Sequence, residues 1–270
     1  MSKKKTACNA ALKPAKTISA LMRLLLAFLV FFGSQTAQAE SSKDEIIVSA
    51  AASLTNIMQE LGKGFEQSHE GRKVVFNFGA SGDLLAQMSQ GAPVDIFISA
   101  SPKQMDQAQE KGLIDQATRI IFAANILVLA KPATGSAQVT SLDDLRLPAV
   151  SRIGIGKPET VPAGQYAKDA LAAAGLWDAV QPKLIVGSSV RQVLDYLRRG
   201  EVDCGLVYAT DVRVAKDAVV TAAELTGTKV LYPAAITKGA KAKETAALFL
   251  EHLKSKATRA GLQKAGFLLP

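Results

Sequence analysis

Short apolar runs that alternate with amphipathic stretches constrain the fold of this chain more than any other feature. The first run, Ile46 to Val48, is too short for a helix but suits a buried strand. After it, Leu54, Ile57, Leu61 and Phe65 recur at helical spacing. The same order of a short run and an amphipathic stretch returns towards the C-terminus. This pattern predicts an α/β protein with largely parallel strands.

Four predicted turns from strand to helix share one chemistry. The first N–H groups of a helix have no intrahelical partner and lie at the positive end of its dipole, so they suit an anion. In an open α/β sheet, ligands bind outside the carboxyl ends of the strands, where these turns lie. A tyrosine ends a fifth strand and is expected to reach the same crevice. The five candidate ligand-binding residues, none of them charged, are Ser53, Ser81, Ala163, Val190 and Tyr208.

Each of these residues also has an explanation that involves no ligand. Ser53 and Ser81 would serve as N-caps, since serine is favoured there. Val190 would be a core residue, and Tyr208 an interior aromatic residue with a satisfied hydroxyl group. The side chains of Ala163 and Val190 carry no chemical signal of their own. Taken one at a time, Ala163 and Val190 favour the explanation without a ligand, and only the surrounding stretches taken together are specific.

The start of the chain has the composition of a secretory signal peptide. Residues 1–39 hold six basic residues and no acidic one, and Leu24 to Phe32 is an apolar run shorter than a usual membrane span. Ala37-Gln38-Ala39 then forms a small-x-small cleavage site. We therefore expect cleavage between Ala39 and Glu40, export to the periplasm, and no lipid anchor at this site.

Removal of residues 1–39 changes what the composition implies. The whole chain has 32 basic and 24 acidic residues, and the leader's six leave 26 against 24. Without a concentrated basic patch, a nucleic-acid partner is not expected. Cys204 would be the only cysteine, buried as a small hydrophobic residue, and no disulfide is expected. His69 and His252 have no metal-binding spacing, so no residue is predicted to ligate a metal directly.

Five stretches, in order from Ile46 to the C-terminus, resemble the periplasmic molybdate-binding proteins of ABC importers. The stretches are Ala50–Thr55 (Ala-Ala-Ala-Ser-Leu-Thr), Phe78–Gly82 (Phe-Gly-Ala-Ser-Gly), Gly91–Ala100 (Gly-Ala-Pro-Val-Asp-Ile-Phe-Ile-Ser-Ala), Val161–Ala167 (Val-Pro-Ala-Gly-Gln-Tyr-Ala) and Gly205–Tyr208 (Gly-Leu-Val-Tyr).

The resemblance implies a two-lobed periplasmic-binding-protein fold, with a mostly parallel sheet flanked by helices in each lobe. The ligand would lie in the cleft between the lobes. Lobe one would comprise residues 40–122 and 232–270, and lobe two residues 123–231.

The resemblance also implies a role for each candidate residue. Ser53 and Ser81 would bind the oxyanion through a hydroxyl and a backbone N–H, Ala163 and Val190 through a backbone N–H, and Tyr208 through its phenol. Two features depart from the family pattern. Asp83 places a carboxylate in the first helical turn beside Ser81, where we expect it to bond exposed N–H groups and point away. Ser188-Ser189 precedes Val190 in place of an acidic or Asn-containing version.

The implied function is capture of molybdate, and of tungstate, for delivery to a membrane permease by a monomeric protein without a cofactor. The site is expected to select by size and by proton count. One alternative is the same fold with sulfate or phosphate as its ligand. Another is a serine-dependent hydrolase, although Gly-x-Ser-x-Gly is absent and neither histidine has a sequence reason to meet a serine. We therefore do not expect an enzyme.

Overall fold

The computed structural model describes residues 45–270, except for the side chain of Thr226. The predicted signal peptide, its cleavage site and Cys8 lie outside the described residues. Among residues 45–270, no helix has the length and apolar character needed to cross a lipid bilayer.

Eight strands form one mixed sheet in the order β2-β1-β3-β8-β4-β7-β5-β6. Strands β1, β2 and β3 run parallel to one another at one end, and β5, β6 and β7 do so at the other. The two groups meet through β4 and β8, which pair antiparallel with each other and with their neighbours. The strands are β1 Glu45–Ala51, β2 Lys73–Gly79, β3 Ile96–Ile98, β4 Ile120–Pro132, β5 Ile153–Gly156, β6 Leu184–Gly187, β7 Cys204–Tyr208 and β8 Val219–Ile236.

The α-helices follow the strands and cover the sheet. The described helices are α1 Thr55–Ser68, α2 Ser81–Ser89, α3 Pro102–Glu110, α4 Pro162–Ala173, α5 Trp177–Val180, α6 Val190–Arg198, α7 Ala209–Ala215, α8 Lys243–Lys254 and α9 Lys256–Ala265.

The helices are positioned by the apolar stripe that each presents to the sheet. In α6, Val190, Val193, Leu194 and Leu197 are buried, which is the spacing of one helical face. These residues belong to a core that also contains much of β4, β5 and β7. The carboxyl end of each parallel strand is thereby held beside the start of the next helix, as the alternating sequence pattern predicts.

Two local patterns of the sequence do not give the structure that they favour. Ala123-Ala124-Asn125 separates apolar segments at residues 119–122 and 126–129, a pattern that favours two elements, but β4 continues through the separation. The interruption is Asn125, whose buried side chain donates to Thr210 of α7 and to Tyr232 of β8 and accepts the Ile126 N–H. The Ser-x-x-Asp pattern that begins at Ser141 is typical of a helix start. Instead, only a short 3₁₀ turn forms, and its Asp144 carboxylate accepts the Ser141 N–H at 2.9 Å.

The expected crossovers between lobes, near Ala123 and Leu231, fall inside the two longest strands. Ala123 pairs with Tyr232, and Ala124 pairs with Leu231. The two segments are therefore neighbours in one ladder. The division of the chain into lobes at these residues remains a prediction.

Candidate functional site

All five residues singled out from the sequence line one small cavity. They reach it from the carboxyl ends of five strands: β1 leads to Ser53, β2 to Ser81, β5 to Ala163, β6 to Val190, and β7 ends at Tyr208. The other lining residues are small or apolar: Ala51, Ala52, Gly79, Ala80, Ala100, Val161 and Pro162. The volume is about 10 Å³, close to the least that holds one water molecule. A drug-sized organic molecule does not fit.

The backbone gives the cavity its N–H groups. Ser81 and Val190 are the first residues of α2 and α6, and Ala163 is the second residue of α4. N–H groups at these positions have no intrahelical acceptor. Three helix dipoles therefore direct their positive ends to this cavity, which favours negative charge there.

Neither serine caps a helix, so the N-cap explanation was wrong for both. The N-cap of α1 is Leu54 and that of α2 is Ala80, and neither makes a side-chain capping bond. The Ser53 hydroxyl lies 3.1 Å from the Tyr232 hydroxyl. The Ser81 hydroxyl oxygen accepts the Ala100 N–H at 3.0 Å. Because that oxygen already accepts a bond, the Ser81 proton remains to be donated elsewhere.

The Tyr208 hydroxyl is buried and has no hydrogen-bond partner among the described residues. Burial raises the pKa of this phenol well above its ordinary value, so it keeps its proton at neutral pH. Most buried polar groups have a partner, and an exception calls for an explanation. Tyr208 lines a cavity at which helix N-termini also point, so a ligand that accepts the phenol proton would explain why this hydroxyl has no protein partner.

The cavity has two sides: one is formed by lining residues that precede β4 in the sequence, and the other by lining residues that follow β4. Arg191 connects these two sides but does not line the cavity. Its guanidinium donates to the Ser53 carbonyl at 2.9 Å and to Asn56 Oδ1 at 2.6 Å. Its Nε lies 2.9 Å from Asp211 Oδ1, in an ion pair that is not a well-aligned hydrogen bond. Burial raises the pKa of Asp211 to about 6, although Arg191 and the Tyr208 N–H act in the opposite direction.

A second close contact between the two sides is made by the backbone. The Gly82 N–H donates to the Thr160 carbonyl at 2.9 Å. A Cβ atom on Gly82 would lie 2.7 Å from the Thr160 backbone, so only glycine fits this approach. Asp83, the next residue, does not line the cavity. Its expected bonds to exposed N–H groups are absent from the described residues.

A larger groove of about 650 Å³ lies near Glu45, and the buried charge that lines it is a carboxylate, which does not favour an anion. Its buried carboxylate, Asp95, is already satisfied by the N–H groups of Ile47 and Lys241, at 2.8 and 2.7 Å. Among residues 45–270, no group of three His, Cys, Asp or Glu side chains could hold a metal ion. His69 and His252, far apart in the sequence, both pack on Phe65 and do not line the small cavity.

Sequence reasoning missed the residues behind the cavity. Asn125 and Tyr232 lie inside strands, whereas Arg191 and Asp211 lie in the first turns of α6 and α7, beside residues that the sequence did indicate. A polar residue inside the apolar run of β4 was the available signal for Asn125. The others became recognisable only through their contacts.

Known proteins resemble the chain over nearly all of its described length. It is 37% identical over 235 residues to the molybdate-binding protein ModA of Escherichia coli, with 85% of this chain and 91% of that protein covered. It is 35% identical to a putative ABC transporter substrate-binding lipoprotein, YvgL, of Bacillus subtilis, with 93% and 98% covered. A solved substrate-binding domain of a putative molybdenum ABC transporter from Clostridium difficile superposes with a TM-score of 0.64 at 33% identity, with 84% and 99% covered.

These matches confirm the resemblance inferred from the five stretches and the periplasmic-binding-protein fold that it implies. Residues 46–268 match the family described as bacterial extracellular solute-binding protein. The chain belongs to that family.

Proposed function

We propose that this protein is the substrate-binding protein of an ABC importer and that it binds molybdate, and also tungstate, as the intact oxyanion. The observation that carries the proposal is the buried, unpartnered Tyr208 hydroxyl at a cavity where the N-termini of three helices meet. Relatives named for molybdate support the choice of ligand. The ligand contacts would be Ser53, Ser81, Ala163, Val190 and Tyr208.

The donors suit a small anion with no proton of its own. Backbone N–H groups cannot accept a hydrogen bond, and each bond to a charged oxygen is worth about 1.5–3 kcal/mol. Phosphate keeps at least one proton near neutral pH, and a proton that faces a donor costs about 1–3 kcal/mol. Sulfate has no such proton, but its shorter bonds would leave some donors out of reach. Tungstate matches molybdate in charge and nearly in size.

The two sides of the cavity would belong to two lobes, residues 40–122 with 232–270 and residues 123–231, which part to admit the anion. Arg191 and Gly82 make contacts that such a movement would break. The loaded protein, a monomer, would then deliver the anion to a permease at the inner membrane. Binding without catalysis is proposed, and a screen with generic esters would reveal a hydrolase.

The test is competition calorimetry with molybdate, tungstate, sulfate and phosphate on a protein that begins at Glu40. Molybdate and tungstate should bind with similar affinity, and the other two much more weakly. Raising the salt concentration should change this preference little, because no Lys or Arg lines the cavity. The proposal fails if sulfate or phosphate binds within a few-fold of molybdate, or if tungstate is rejected.

Export by a cleavable signal peptide is part of the same proposal. The basic leader and Ala37-Gln38-Ala39 support cleavage between Ala39 and Glu40 and release into the periplasm. Intact-mass analysis of the exported protein should give a chain that begins at Glu40. A mature species that retains Cys8 would contradict the cleavage site.

A further inference from the structure

A chain of hydrogen bonds connects Ser53 through Tyr232 to Asn125. Which group donates at each step can be worked out by starting from Asn125. Asn125 Oδ1 accepts the Ile126 N–H at 2.9 Å. Because a backbone N–H can only donate, this bond identifies which side of the Asn125 amide is the oxygen. The other side, Nδ2, is therefore a donor.

The Asn125 donor sets the role of Tyr232. Asn125 Nδ2 donates to Thr210 Oγ1 at 2.8 Å and to the Tyr232 hydroxyl at 3.2 Å. The Tyr232 oxygen accepts that bond and is fully buried. Its only other hydrogen-bond neighbour within residues 45–270 is the Ser53 hydroxyl, at 3.1 Å. The Tyr232 proton is therefore donated to Ser53, and burial, which raises the pKa of Tyr232, keeps that proton in place.

We propose that Tyr232 and Asn125 are positioning residues that hold the Ser53 hydroxyl as a donor towards the bound anion. Since the Ser53 oxygen accepts from Tyr232, its own proton is directed into the cavity that Ser53 lines. Neither positioning residue lines that cavity. This inference rests on the proposed oxyanion function.

The consequence concerns selectivity. The Ser81 oxygen accepts the Ala100 N–H, so both serine oxygens are occupied by protein donors. To accept the proton of an anion as well, either serine would have to use its second lone pair and turn its own proton away from that anion oxygen. The Tyr208 oxygen has no protein donor, but if it accepted the proton of an anion it would have to turn its own proton away. One donor bond would then be lost.

The test is Tyr232→Phe, which removes the donor to Ser53 and keeps the ring that packs edge-on against Phe267 at 5.7 Å. The Ser53 hydroxyl is then free to turn and to accept a proton. Molybdate affinity should fall about three- to tenfold, and phosphate affinity should be unchanged or should rise. Tyr196→Phe is the matched control, because Tyr196 does not line the cavity and should leave both affinities unchanged.

A double-mutant cycle separates this role from a merely structural one. In a Ser53→Ala background, Tyr232→Phe should cause no further loss of molybdate affinity, because Tyr232 acts through Ser53. An equal loss in both backgrounds, or an equal loss for molybdate and phosphate, would overturn the inference. If Tyr232→Phe does not fold, Asn125→Ala removes the donor to Tyr232 and is scored by the same cycle. A parent protein that does not bind molybdate would refute the proposed function instead.

Discussion

The two sides of the cavity differ in whether their hydroxyl groups already have hydrogen-bond partners before a ligand binds. On the first side, formed by residues that precede β4 in the sequence, the hydroxyl oxygens of Ser53 and Ser81 already have protein partners. On the second side, formed by residues that follow β4 and precede β8 in the sequence, the Tyr208 hydroxyl has no partner among the described residues. The protein itself therefore orients the hydroxyl groups of the first side, whereas the hydroxyl group of the second side gains its hydrogen-bond partner only from a ligand.

This difference explains why a buried group is left unsatisfied. An unmade buried hydrogen bond costs about 1–3 kcal/mol, and a ligand that accepts the Tyr208 proton recovers that cost on binding. The serines contribute in another way, since their protons need no reorientation when an anion arrives. Removing one hydroxyl from each side should therefore give the same loss of affinity and different effects on the unliganded protein.

Ser53→Ala is expected to have the largest effect, because it should lower both the molybdate affinity and the free energy of unfolding. Molybdate affinity should fall about ten- to a hundredfold, since a charge-assisted bond is lost. The buried Tyr232 proton also loses its acceptor, so the free energy of unfolding without ligand should fall by about 1–3 kcal/mol. Calorimetry and urea unfolding measure the two effects. Undiminished stability would show that Tyr232 does not depend on Ser53.

Tyr208→Phe should separate affinity from stability. The affinity should again fall about ten- to a hundredfold. The free energy of unfolding without ligand should stay within about 0.5 kcal/mol of the parent or rise, because the hydroxyl that is removed has no partner. A loss of stability equal to that of Ser53→Ala would mean that the two sides do not differ as described. Full affinity in both variants would place the site elsewhere.

The smallest effect concerns Asp211, which pairs with the arginine that joins the two sides. Its pKa is raised by burial to about 6 in the folded protein, against about 3.9 in an unfolded chain. The folded state therefore holds more protons between these values, and this contribution to stability is lost as the pH rises from about 4 to 6. Relative to Asp211→Asn, the parent should lose on the order of 1 kcal/mol across that range. A constant difference in urea unfolding would contradict the raised pKa.

The sequence predicted the parts of the site that follow from local order. Ser53, Ser81, Ala163, Val190 and Tyr208 each stand where a short apolar run gives way to a helix. The carboxyl ends of parallel strands lie at the same edge of a sheet, so local patterns were enough to bring these residues together. The resemblance to a known family selected the same five residues.

The supporting contacts could not be predicted, because they join residues that are distant in the sequence. Asn125 and Tyr232 are 107 residues apart, and Arg191 and Ser53 are 138 apart. Asn125 was interpreted as a break between apolar segments, since a polar residue in such a run is unfavourable without partners. Those partners exist only once β4 and β8 are paired.

The most direct test is a crystal structure of the protein with molybdate, with anomalous scattering used to locate molybdenum. The account predicts one tetrahedral anion in the small cavity, with an oxygen atom within hydrogen-bond distance of the Tyr208 hydroxyl and others facing the Ser53 and Ser81 hydroxyls. Molybdenum in the groove near Asp95, or an anion that leaves the Tyr208 hydroxyl without a partner, would contradict it.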